Sequence, residues 1–131
     1  MDAPNDYKNA GLFMLISGVL NIMYGLFLGG FLTVYGLVIC CASYGICFLC
    51  PIFGLFGLLP LIVGIIELVV GIRVLKGDVI RSARVTAIAG LVFACLCFNI
   101  VSIIMEVLAI VFLAKDESIT YLEDEEDEDL Y

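Results

Sequence analysis

The chain has no histidine and no tryptophan, and only three prolines and six lysines and arginines in 131 residues. Without imidazole, histidine-based triads, histidine zinc sites and an imidazole general base are excluded. No basic aromatic surface suggests nucleic acid, and no glycine-rich phosphate loop opens a helix after a strand. No residue set calls for a cofactor or a metal. What is abundant is apolar: 63% of the residues are hydrophobic, against roughly 45–50% in ordinary domains, more than a soluble fold of this size can hide. The implied solvent is lipid. The 14 acidic residues are unevenly placed, with half of them in the run from Glu123 to Asp129.

A helix needs about 20 apolar residues to cross a bilayer core of about 30 Å. Four stretches meet that need, at 11–29, 31–50, 56–75 and 86–114. The Gly29-Gly30 pair predicts the first turn; Cys50-Pro51 and Pro60 predict the second, because proline lacks the donor that a helix interior uses. The fourth stretch would run about 43 Å at about 1.5 Å per residue, so it should tilt or protrude. The expectation is an all-α, integral membrane four-helix bundle built from two transmembrane hairpins. It places a short segment at 1–10, the bundle at 11–114 and an acidic tail at 115–131. Arg73, Lys76, Arg81 and Arg84 crowd the third connection. Basic residues near span ends stay cytoplasmic, so this hinge should meet cytoplasmic lipid headgroups, with both termini on the opposite side.

An internal repeat appears at an offset of 46, Leu15–Gly25 against Leu61–Gly71, in which Gly11, Gly18 and Gly25 answer Gly57, Gly64 and Gly71. Both copies are expected to cross in the same direction, as a parallel repeat. Glycine every seventh residue gives a smooth stripe where helix backbones approach closely, and that period implies left-handed packing. Asn21, Glu67 and Asn99 fall near mid-span, with Ser102 and Glu106 on the same stripe as Asn99. No cationic side chain lies at their depth, so Glu67 should be held as the neutral acid, hydrogen-bonded to Asn21 or Asn99. The arrangement serves either as a clasp that fixes helix register or as a proton or cation site.

The six cysteines sit in apolar stretches rather than polar loops, so most should be small packing residues. Cys47 and Cys50 have the spacing of a redox pair, yet no loop is long enough to carry the second pair that a membrane thiol oxidase needs. The block Glu123–Asp129 should be disordered unless a basic partner or a divalent cation meets it.

Gly18-Val-Leu-Asn21-Ile-Met-Tyr-Gly25-Leu26 resembles the first-helix motif of the membrane-spanning four-domain family, small tetraspan proteins that include the B-lymphocyte surface antigen. Pro60-Leu-Ile-Val-Gly64 is similar to the start of that family's next helix, and Ile103-Ile-Met-Glu106-Val-Leu108 to its later acidic segment. The match covers about a third of the chain, and 31–50 would be an extra span that the family lacks. The resemblance implies a dimerising or complex-forming bundle, sometimes tied to signalling or cation flux, with both termini in the cytosol, and it transfers no catalytic residue. Together these readings give a non-enzymatic membrane protein, a structural or accessory subunit that packs against itself or a larger membrane complex. The alternatives are a small proton or cation channel or transporter using Glu67, and a thiol-redox protein using Cys47 and Cys50.

Overall fold

Asn5 begins a helix that does not stop at the expected glycine pair. In the computed structural model, which describes residues 3–42 and 59–128, α1 runs without a break over Asn5–Ala42. It is followed by α2 (Leu59–Lys76), α3 (Ala83–Leu96), α4 (Ile100–Leu113) and α5 (Asp116–Glu128). The fold is all-α, with no strand among the described residues. Helix α1 is long and apolar enough to span a membrane; α3 and α4 are shorter apolar helices.

Two expected boundaries move, each for a local reason. Gly29 and Gly30 keep helical backbone: no proline follows closely, and a Cβ on Gly30 would meet nothing within 4 Å. The spans expected at 11–29 and 31–50 are therefore one helix as far as Ala42, and 43–50 lies outside the described residues. The fourth expected span, by contrast, breaks at Cys97–Asn99 and folds back. Phe98 has φ 54, Phe98 N–H donates to Cys95 O at 3.2 Å and Asn99 N–H to Ala94 O at 2.9 Å. This pairing closes a helix through one left-handed residue. Asn99 then caps α4, its side chain accepting from Ser102 N–H at 3.3 Å, as a short amide at a helix start does. The sequence Gly77-Asp78 ends α2 in the same way, with Gly77 at φ 93, Gly77 N–H on Val74 O and Asp78 N–H on Arg73 O, both at 3.0 Å.

Helices α1 to α4 run up, down, up and down, each packed on its neighbours: α1 on α2 and α4, α3 on α2 and α4. The architecture is thus a four-helix arrangement, but not the pair of hairpins expected from the four sequence stretches. The glycine stripes of α1 and α2 meet. A Cβ on Gly18 would lie 2.7 Å from Leu68 N, one on Gly64 2.7 Å from Gly18 O, one on Gly71 2.7 Å from Leu15 N, and one on Gly25 2.6 Å from Leu61 N. Gly11 is opposed by Gly71 and Leu75 in the same manner. Gly57 lies outside the described residues. Residue numbers rise along α1 as they fall along α2, so the repeat copies are antiparallel and the expectation of a parallel repeat is corrected. Stripes spaced evenly about Gly18 and Gly64 match one another in that direction as well as in the other.

The loop at 77–82, the start of α1 and the start of α5 meet at one end, here called the base. Tyr7 hydroxyl donates to Asp78 O at 2.9 Å and accepts from Ile80 N–H at 3.0 Å. Tyr121 hydroxyl donates to Gly77 O at 2.7 Å, and its ring lies 5.3 Å from that of Tyr7. Lys115 pairs with Asp6 at 2.9 Å, and Arg84 donates to Leu113 O at 2.9 Å. The basic hinge, the start of α1 and the start of α5 therefore meet at one end of the bundle, whereas the sequence suggested a hinge at the end opposite the chain's two ends. The acidic segment also differs from a disordered tail. It is helical to Glu128, with Asp116 and Glu117 favourably placed in its first turn and Tyr121 buried against the base. Residues 129–131 lie outside the described residues.

Candidate functional site

Above the base, the interior changes character. The lower core is apolar: Tyr7, Ala10, Met14, Val74, Ala83, Ala87, Ala109 and Leu113 are buried together. One turn higher, Ser17, Asn21, Glu67, Ser102 and Glu106 are all buried, the two glutamates completely. They converge because each occupies the small-residue face of its helix: Ser17 and Asn21 stand one turn apart on α1, Glu67 between Gly64 and Gly71 on α2, and Ser102 and Glu106 one turn apart on α4.

Hydrogen bonds join them in a ladder. Asn21 Nδ2–H donates to Glu67 Oε2 at 2.9 Å. Asn99 Nδ2–H donates to Asn21 Oδ1 at 3.2 Å, while Asn99 Oδ1 takes the capping bond from Ser102. The hydroxyls of Ser17 and Ser102 bond to each other across α1 and α4. Nearer the tip, Tyr24 hydroxyl donates to Cys97 O at 2.7 Å.

The fourth wall is α3, which turns Ala83, Ala87, Gly90 and Ala94 inward. Gly90 is decisive. A Cβ built on it would collide with Glu67 Oε1 and would lie 2.7 Å from Glu67 Cδ and 3.0 Å from Glu106 Cδ. Both carboxyl groups thus sit over the one residue of α3 that leaves them room, and their carbons are no more than about 6 Å apart, the range in which charges strongly affect each other. Glu67 Oε1 and both oxygens of Glu106 have no hydrogen-bond partner among the described residues. Burying an unpaired ionised carboxylate costs several kcal/mol, about 3–5 when a partner is missing. All six basic residues, Lys8, Arg73, Lys76, Arg81, Arg84 and Lys115, belong to the base or the helix turns nearest it. Two bare carboxylates here would carry that cost with no cationic side chain near enough to offset it.

Of the polar residues expected from the sequence, Asn21, Glu67, Asn99, Ser102 and Glu106 are brought together, and Gly11, Gly18, Gly25, Gly64 and Gly71 line the α1–α2 contact. Asn99 is a helix cap rather than a mid-span residue. Cys95 is exposed, because α3 turns the neighbouring Ala94 inward. Cys47 and Cys50 lie outside the described residues. Ser17 and Gly90 are not among the expected residues. The signal for Gly90 is the spacing Ala83, Ala87, Gly90, Ala94, a small-residue face in steps of four, three and four; Ser17 lies one turn before Asn21.

No family model, no curated protein and no solved structure matches this chain.

Proposed function

We propose that the protein is a multi-pass integral membrane bundle without enzymatic activity, serving as a structural or accessory subunit of a homo-oligomeric or larger membrane complex. The observation that carries this is the reversed distribution of side chains. Leu26, Phe27, Ile62, Ile66, Val85, Val92, Leu96, Val101 and Ile104 point outward on all four helices, while Ser17, Asn21, Glu67, Ser102 and Glu106 are buried. In water this arrangement would forfeit the hydrophobic effect and still carry the cost of burying carboxyls; in lipid both choices are favourable.

Collection of all six basic residues toward the base favours a base in the cytosol, with both termini on that side. The resemblance to the membrane-spanning four-domain family points the same way. Helices α3 and α4 rise only about 21 Å each, less than a hydrocarbon core of about 30 Å, a mismatch met by local thinning and by snorkelling of Arg81 and Arg84. Beyond the bundle, α1 continues with Phe31, Val34, Tyr35 and Val38 exposed, a surface suited to lipid or to a neighbouring membrane helix.

A second reading, a small proton or cation channel or transporter, is favoured by the unpartnered carboxyl oxygens. Against a continuous conduit stands the lower core, where Met14, Val74, Ala109 and Leu113 form an apolar layer between Glu106 and the base among the described residues.

The test is extraction and mass. The protein should stay with membranes after an alkaline wash, dissolve only in detergent, and emerge from mild detergent in a discrete complex larger than one chain. Release by alkali would overturn the membrane reading, and a lone monomer would overturn the subunit reading.

A further inference from the structure

From the geometry of Glu67, Glu106 and Gly90 we infer a buried ion site between α2 and α4 that takes one sodium-sized monovalent cation in exchange for a proton. The inference rests on the bundle's geometry and not on any oligomeric state. Glu106 is completely buried with both carboxyl oxygens unpartnered, and Glu67 Oε1 beside it is in the same condition. A glutamate kept only to fix helix register would commit its oxygens to donors, as Glu67 Oε2 is committed to Asn21. Here three carboxyl oxygens have no donor, and Glu67 Oε1 fills the place that a side chain at position 90 would need.

The donor set selects the ion. Carboxylate and hydroxyl oxygens suit hard cations, and the linked hydroxyls of Ser17 and Ser102 lie one turn of α4 above Glu106. Calcium takes about 6–8 oxygens and magnesium keeps several waters, more than a closed, side-chain-filled interior supplies. Two carboxyl groups with one proton and one monovalent ion make a neutral set, which a low-dielectric interior requires. Among the described residues, the groups facing the pair are Ser17 and Asn21 from α1, Gly90 from α3 and Ser102 from α4, none of them charged.

The test uses full-length protein in mild detergent at neutral pH, with sodium, potassium or choline chloride at equal ionic strength. Two readouts are taken: melting temperature, and labelling of Glu67 or Glu106 by dicyclohexylcarbodiimide, which adds to a protonated carboxyl in an apolar setting and is located by mass spectrometry. Sodium should raise the melting temperature relative to choline, since an ion that binds only the folded state stabilises it, and should reduce labelling several-fold, with potassium weaker in both. Glu106→Gln and Glu67→Gln, which keep shape and remove the charge, should each abolish the sodium effect. A melting temperature indifferent to sodium in the wild type would overturn the site whether or not the reagent reacts, and so would equal sodium responses in the wild type and both glutamine variants.

Discussion

The amide of Asn21 donates to the carboxyl of Glu67 at 2.9 Å, and the two residues are 46 positions apart, the same offset that separates the two copies of the internal repeat. Equivalent positions of the repeat thus touch each other. This arises from antiparallel pairing about the central glycines, Gly18 and Gly64, each with a Cβ position 2.7 Å from the other helix's backbone. Asn21 lies beside Gly64, and Glu67 precedes Leu68, which lies beside Gly18, so the two polar residues stand about one helix turn apart and their side chains span the gap.

Replacing either central glycine by leucine forces α1 and α2 apart along their whole contact. Gly18→Leu and Gly64→Leu should each cost at least about 3 kcal/mol, the upper part of the overpacking range, because the obstacle is backbone and cannot rotate away. Gly30→Leu is the control: with open space around it, it should be neutral or gain up to about 1 kcal/mol of helix propensity. Thermal unfolding followed by helical circular dichroism in detergent distinguishes the three.

Gly90→Ala should displace the carboxyl of Glu67, whose Oε1 occupies the space that the new methyl needs. The variant should be clearly destabilised, and the same substitution in a Glu67→Ala background should cost much less. A double-mutant cycle should give a coupling within about 0.5–3 kcal/mol, as for residues in direct contact; additivity would mean that the carboxyl does not lie over α3.

Asn21→Leu removes the donor to Glu67 Oε2 and the acceptor for Asn99 together. Each stranded buried group costs about 1–3 kcal/mol, so the loss should exceed that of a leucine substitution at exposed Met23. Urea or thermal unfolding of the two variants under one set of conditions reads the difference.

The two left-handed helix ends should respond with opposite signs. Phe98, at φ 54, strains its backbone where glycine would not, so Phe98→Gly should stabilise by up to about 1 kcal/mol. Gly77→Ala, at φ 93 with a Cβ 3.1 Å from that of Ala3, should destabilise by at least about 1 kcal/mol. Midpoints of thermal unfolding provide the comparison.

Tyr121→Phe deletes the hydroxyl that holds α5 to Gly77. Loss of one hydrogen bond of this kind is worth about 1 kcal/mol, and it should appear as faster amide exchange in α5 with little change in α1 to α4.

Much of the site was legible before any fold. Seven-residue glycine spacing, polar residues on the same faces as the glycines, and the lack of any basic residue between Lys8 and Arg73 or between Arg84 and Lys115 pointed to a polar interior containing Glu67 and Glu106. The boundaries were not legible, because apolar sequence carries few stop signals. Gly29-Gly30 read as a turn and is helix; Phe98-Asn99 read as helix interior and is a turn, marked only by an asparagine placed to cap α4.

By itself the sequence determined an all-helical chain with smooth, small-residue faces and its cationic side chains gathered at a few places, since periodicity and charge are properties of the order of residues. Only the tertiary structure decided that the repeat copies run antiparallel, that the starts of α1 and α5 meet the hinge, and that Gly90 makes room for two carboxyls. Those depend on which faces approach one another and in which direction, and glycine stripes that match either way leave that choice to the turns and to the packing of all four helices together.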